Sequence, residues 1–127
     1  MAKKQLFISF KYAELGWKND LVNLLRAVEV EVKPFLLGEP NRPVTAGEIR
    51  RLINGAINSC SGLLLLVGNN AQSAWVEHEV QVASSGGLPY AGTRHPQASG
   101  PLPRPFPSMR ELKWDVRTIG EWAATLR

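Results

Sequence analysis

The chain has 127 residues, of which 44% are hydrophobic and 20% are charged, and its formal net charge is +4. This length and composition predict one globular domain over residues 1–127 and exclude a disordered chain. The basic residues are scattered and no long apolar segment is present, so we expect no nucleic-acid partner, no membrane span and, by default, a cytoplasmic protein.

The beginning of the chain predicts a strand, a helix and a second strand. Residues 6–10, LFISF, form a short apolar run typical of a strand. Apolar residues at helical spacing then follow over residues 17–28, which predicts an amphipathic helix. Residues 32–37 have the pattern of a second strand, and the Gly- and Pro-rich residues 38–43 end it.

The middle of the chain carries its clearest helix signal and its clearest strand signal. Residues 45–48, TAGE, match a capping box in which Thr45 caps a helix and Glu48 reaches back to the cap. An apolar stripe continues that helix to residue 57. Residues 62–68, GLLLLVG, form an uninterrupted apolar run, which is typical of a central parallel strand covered by helices on both faces.

The last part of the chain predicts four more elements and a loop. Residues 73–80, SAWVEHEV, open a helix, and residues 88–93 can form a fourth strand. Residues 94–108 hold five prolines and no hydrophobic period, which indicates an exposed Pro-rich loop. A short fifth strand is expected near residues 113–114, before a last helix capped by Asp115.

This alternation of strands and helices predicts an α/β fold with a mainly parallel sheet of four or five strands between two helical layers. We expect a flavodoxin-like strand order, 2-1-3-4-5. In such sheets ligands bind at the carboxyl ends of the strands.

One acidic residue does not fit the helix pattern. On a helical wheel Glu79 falls near the centre of the apolar arc formed by Trp75, Val76 and Val80, whereas Glu77 lies on the polar side. Two interpretations are open. In the structural one, Glu79 pairs with an arginine or its carboxyl reaches water. In the functional one, its carboxyl lines a cleft at the strand ends and takes part in catalysis.

Three segments together resemble a TIR domain. They are the FISF strand, the VGNN segment that follows the central strand, and the pattern S-x-W-V-x-x-E from Ser73 to Glu79, which is the most specific of the three. The chain is more narrowly similar to the small bacterial TIR-like domains of Thoeris anti-phage systems. The resemblance extends from residue 6 to about residue 122.

The resemblance implies a function. In catalytically active TIR proteins the glutamate of this motif cleaves the nicotinamide–ribose bond of NAD, and that role falls here to Glu79. Loss of nicotinamide builds positive charge on the ribose, which a carboxylate can stabilise. NAD is the expected substrate, with no other cofactor. The residues expected near it are Ser9, Phe10, Lys11, Asn69, Ser73 and Trp75.

Some of these residues have equally simple structural interpretations. Phe10 either stacks on a nucleotide ring or packs in the core, and Lys11 either contacts a phosphate or is solvated. Trp75 is more typical of a core anchor than of a ligand platform. No internal disulfide is expected, because the chain has a single cysteine, Cys60. No metal site is expected either, because the two histidines do not have the spacing of metal ligands.

The alternative function is a TIR-like scaffold that acts only through self-association or partner binding. Strand patterns and helix faces report the fold and not the activity. Residues 38–45 correspond to the loop that TIR domains often use in assembly. The expected partners are therefore NAD or a related nucleotide, further copies of the chain, and a separate effector protein.

Overall fold

The computed structural model describes residues 4–10, 15–33, 51, 54–67, 74–98 and 110–126. Its five strands are β1 (Lys4–Ser9), β2 (Val30–Lys33), β3 (Gly62–Val67), β4 (Tyr90–Arg94) and β5 (Glu111–Leu112). They form one sheet in the order β2-β1-β3-β4-β5, and every neighbouring pair is parallel. The predicted flavodoxin-like α/β fold and its strand order are confirmed.

Helices cover both faces of this sheet. They are α1 (Leu15–Leu25), α2 (residues 51 and 54–58), α3 (Ala74–Ser85) and α4 (Val116–Ala124). Buried residues of α1 and α4 share one hydrophobic core with one face of the sheet, and those of α2 and α3 share a second core with the other face. We call these the α1/α4 face and the α2/α3 face. Among the described residues, no helix is long and apolar enough to cross a membrane.

The central strand explains why both cores exist. All six residues of β3 are buried, and β3 pairs with β1 on one side and β4 on the other. Because side chains alternate along a strand, Leu64 and Leu66 enter the core of the α1/α4 face, whereas Leu63 and Leu65 enter that of the α2/α3 face. Each fully buried leucine contributes roughly 1.5–3 kcal/mol. The predicted central position of this run is confirmed.

Several element boundaries differ from those that the sequence predicts. The second strand is Val30–Lys33 and not residues 32–37, of which residues 34–37 lie outside the described part. The fifth strand is Glu111–Leu112, two residues before the predicted position, because its register with β4 pairs Thr93 with Leu112. Strand pairing sets these limits, and local composition does not encode it.

The Pro-rich loop begins later than predicted. Arg94, placed at the start of the 94–108 loop by the sequence, is the last residue of β4 and pairs with Val67 of β3. Residues 95–98 form an ordered turn, in which the Ala98 N–H donates to the His95 carbonyl at 2.8 Å. Residues 99–108 lie outside the described part of the chain.

The last helix starts where the sequence predicts. The Thr118 N–H donates to Asp115 Oδ1 at 2.6 Å, and this bond holds the pKa of Asp115 below its ordinary value. Asp115 therefore caps α4, as predicted. The capping box predicted at Thr45 and Glu48 lies outside the described residues.

Candidate functional site

The carboxyl edge of the sheet brings together two residues that are 70 positions apart. Ser9 is the last residue of β1, and Glu79 lies in the middle of α3, the helix that follows β3. Because β1 and β3 are parallel neighbours, α3 crosses the sheet beside the end of β1. The Ser9 hydroxyl donates a hydrogen bond to Glu79 Oε1 at 2.7 Å.

This pair is buried. The exposed fraction is 4% for Glu79 and 0% for Ser9. The neighbouring α3 residues Val80 and Ala83 belong to the core of the α2/α3 face, together with Val67 at the end of β3. The helical wheel places Glu79 on the apolar arc of α3, and in the structure its side chain is buried there.

The environment of Glu79 favours the neutral acid. Burial raises the pKa of its carboxyl to about 8, although the hydrogen bond from Ser9 acts in the opposite direction. Within the described part of the chain, no lysine or arginine forms an ion pair with Glu79 and no group hydrogen-bonds its second oxygen, Oε2. A buried polar atom without a partner is costly in a purely structural role.

The other predicted site residues are distributed differently. Phe10 is half-buried and packs against the core of the α1/α4 face, with the Lys18 ammonium 5.6 Å from the centre of its ring. The alternation of β1 thus places Phe10 and Ser9 on opposite faces of the sheet. The backbone of Trp75 lies in α3, and its side chain is outside the described part. Lys11, Asn69 and Ser73 also lie outside the described residues.

A second polar cluster at the same edge has no counterpart in the sequence analysis. His95 follows β4 and is buried on the α1/α4 face, where it stacks on Trp17 with ring centres 4.4 Å apart. Trp114 meets the imidazole edge-on at 5.0 Å. We call these residues, together with Asp20, the His95 cluster.

Both ring nitrogens of His95 are bonded inside the protein. The Gln97 N–H donates to Nδ1 at 3.1 Å, so Nδ1 is an acceptor and the ring proton lies on Nε2. Nε2 then donates to Asp20 Oδ2 at 2.9 Å. Neither nitrogen is available to a ligand. Through its contacts with Trp17 and Asp20, His95 connects the segment after β4 to α1. No sequence signal joins these residues, since only the fold brings α1 and the end of β4 together.

An open groove at the opposite edge of the sheet has a different character. It lies between the end of α1 and α4, has a volume of about 940 Å³, and is lined by Lys4, Glu29, Arg117 and Glu121 together with small apolar residues. Size alone does not identify a reactive site, because none of these ionisable groups is buried. The Ser9–Glu79 pair, with its perturbed carboxyl, is the stronger candidate.

Comparison with known proteins supports the fold alone. No family model and no curated protein matches this chain. Among solved structures, the chain is similar to a conserved protein from Enterococcus faecalis V583, with a TM-score of 0.58 and 17% sequence identity. The match covers 72% of this chain. It covers 64% of the Enterococcus protein, which is less than two thirds of that protein's length. At this identity the likeness extends to the fold and not to an activity.

Proposed function

We propose that this chain is a TIR-like signalling domain that cleaves NAD, with Glu79 as its catalytic carboxylate. One observation carries the proposal: a buried carboxyl at the carboxyl edge of the sheet, held by Ser9 through one oxygen and without a described partner on the other. Ligands of parallel α/β sheets bind at this edge. Strongly perturbed carboxyl groups with unsatisfied oxygens are typical of active sites.

The chemistry needs a carboxylate of this kind. When the bond between the ribose C1′ and the nicotinamide nitrogen breaks, its electron pair neutralises the pyridinium ring and positive charge develops on the ribose. The carboxylate of Glu79 stabilises that charge in a site of low dielectric. Addition of water at C1′ then gives ADP-ribose, nicotinamide and a proton, and attack by another nucleophile gives a cyclised or conjugated product.

Ser9 has a different role from the one that the sequence suggested. Its side chain is fully buried and its hydroxyl is directed to Glu79, so we assign it to positioning the carboxyl and not to contact with the substrate. Lys11, Asn69, Ser73 and Trp75 remain the proposed contacts to the nucleotide. Phe10, which the sequence also suggested, packs against the core of the opposite face. In this proposal the product acts as a signal to a separate effector protein in anti-phage defence.

The direct test is release of nicotinamide from NAD by the purified protein, measured by chromatography. Glu79→Gln preserves the shape of the side chain and removes its charge, so we expect the rate to fall by about 10²-fold or more. Glu29→Gln is the matched control, because Glu29 is an exposed glutamate that follows α1. It should leave the rate unchanged.

Two results would contradict the enzyme proposal. One is equal turnover by the parent and Glu79→Gln proteins. The other is no turnover by the parent in any state of assembly, including protein concentrated on a surface or cross-linked through a tag. That second result would leave the scaffold alternative, in which the chain acts by self-association or partner binding.

A further inference from the structure

The Glu79 carboxyl has no counter-charge on the strands that pack against its helix. β3 contains no ionisable residue. On β4 the ionisable residues are Tyr90 and Arg94, and the Arg94 guanidinium is bonded to Glu111 at 2.9 Å. Lys4 lies at the opposite end of β1 from Ser9.

The helices add no described counter-charge either. Arg51 of α2 is exposed. On α3 itself the other ionisable residues are Glu77 and His78, whose side chains lie outside the described part of the chain. Among the described residues, the one interaction that favours the ionised form of Glu79 is the hydrogen bond from the Ser9 hydroxyl at 2.7 Å.

A buried acid without a counter-charge among the described residues can accept that charge from a ligand. We propose that Glu79 is a neutral carboxylic acid in the resting protein and releases its proton when a cationic pyridinium ring enters the site, so that ligand binding is coupled to the loss of one proton. The choice of a nicotinamide nucleotide as the ligand rests on the proposed function. The proton passes to the solvent, and no covalent bond of the ligand changes in this step.

The size of the two effects supports this coupling. With burial raising the pKa to about 8, roughly nine in ten Glu79 carboxyls carry a proton at pH 7. A positive charge within about 4–6 Å of a carboxyl lowers its pKa by about 1–3. A pyridinium ring at that distance therefore lowers the pKa to about 5–7, so a mostly neutral acid becomes between about half and almost fully ionised at pH 7.

The coupling also predicts selectivity between two nucleotides of nearly the same shape. NAD carries the pyridinium charge, whereas NADH has a neutral dihydropyridine ring. Only the oxidised form brings a positive charge to the carboxyl, so only its binding displaces the proton. The catalytic carboxylate then forms in the complex that uses it, and the ligand-free site holds no buried, uncompensated charge.

Calorimetry of ligand binding tests the coupling. The ligand is carba-NAD, whose carbocyclic ribose keeps the pyridinium ring but is not cleaved. Titrations at pH 7 in phosphate and in Tris, which differ in ionisation enthalpy, give the number of protons released. We expect roughly 0.4–0.9 proton per carba-NAD at pH 7, the range that follows when a pKa of about 8 is lowered by about 1–3. The value should be near zero at pH 10, and NADH should release none at either pH.

Variants assign the proton to one carboxyl. Glu79→Gln should abolish proton release, and the exposed control Glu29→Gln should leave it unchanged. Ser9→Ala removes the bond that favours the ionised form, so release should persist to higher pH than in the parent. Ser84→Ala, at an exposed serine of α3, should match the parent.

Infrared spectroscopy tests the resting state without a ligand. The ligand-free parent at pH 6 should show a carbonyl band of a buried carboxylic acid that Glu79→Gln lacks and that disappears above about pH 8. Absence of that band would overturn the inference. Binding of carba-NAD without proton release would overturn it alone, while the proposed cleavage could still be measured. Failure of carba-NAD to bind would overturn both.

Discussion

Replacing Glu79 with glutamine should make the protein more stable at alkaline pH. The folded carboxyl has a pKa of about 8, whereas the same group in the unfolded chain has its ordinary value of 4.5. Between these values the folded state binds more protons than the unfolded state, so this group's contribution to stability falls as the pH rises through that window. Glutamine does not titrate and keeps an acceptor for the Ser9 hydroxyl.

The magnitude follows from the two pKa values. Raising the pKa from 4.5 to about 8 corresponds to about 5 kcal/mol in total, of which about 4 kcal/mol is lost between pH 5 and pH 9. At pH 5 glutamic acid and glutamine are both neutral in the folded site, so the two proteins should be equally stable to within about 1 kcal/mol. At pH 9 Glu79→Gln should be more stable by about 3–4 kcal/mol.

Urea denaturation at pH 5, 7 and 9 measures this difference. With a slope of about 2 kcal/mol per molar urea, the midpoint of Glu79→Gln should exceed that of the parent by roughly 2 M at pH 9 and match it at pH 5. Taking the difference between the two proteins cancels the titration of all other groups. Glu29→Gln should follow the parent at each pH. Parallel curves for the parent and Glu79→Gln would refute a buried, neutral carboxyl, and a lower stability at pH 9 would indicate an ion pair.

The structure makes three further predictions. In an active protein Ser9→Ala should shift the rise of kcat/KM to higher pH. The pH dependence of kcat/KM follows the ionisation of the free enzyme, and the variant lacks the hydrogen bond that stabilises the carboxylate. An unchanged pH profile would contradict the positioning role. His95→Ala should lower the free energy of unfolding, measured in urea, by about 2–4 kcal/mol, because a buried ring with two hydrogen bonds and a stacking contact is lost. Asp20→Asn should lower it by less than about 1 kcal/mol, because that carboxyl is 56% exposed. Gly62→Ala should lower the free energy of unfolding by about 1–3 kcal/mol, because the new Cβ would lie 2.9 Å from Leu126 Cδ2. The destabilisation should be smaller in a protein that also carries Leu126→Ala. Equal destabilisation with and without Leu126→Ala would show that this contact is not the cause.

The fold was largely predictable from local pattern. The leucine run of β3 is apolar on both faces, which requires a covering layer on each side, and the alternation with amphipathic helices then permits few topologies. Strand limits were less predictable, because a strand ends where its neighbour's hydrogen bonds end. Arg94 shows this: its sequence context is that of a loop, yet its pairing with Val67 keeps it in β4.

The candidate site was predictable only in part. A single helix pattern places Glu79 on the apolar face, but the sequence left open whether its carboxyl reaches water, meets an arginine or lines a cleft. Nothing local indicates which group it meets there. The bond from Ser9 exists because β1 and β3 are parallel neighbours, and the high pKa follows from the burial of the carboxyl away from water.

The His95 cluster marks the limit of sequence analysis more clearly. Trp17 and Asp20 belong to α1, His95 follows β4, and Trp114 follows β5, so four separate positions meet in one stacked arrangement. Periodicity within one element determines which face a side chain takes, and the sequence carries that information directly. Contacts between elements depend on the order and register of the strands. The tertiary structure alone therefore decided that the buried glutamic acid has a serine as its partner and that the histidine has an aspartate.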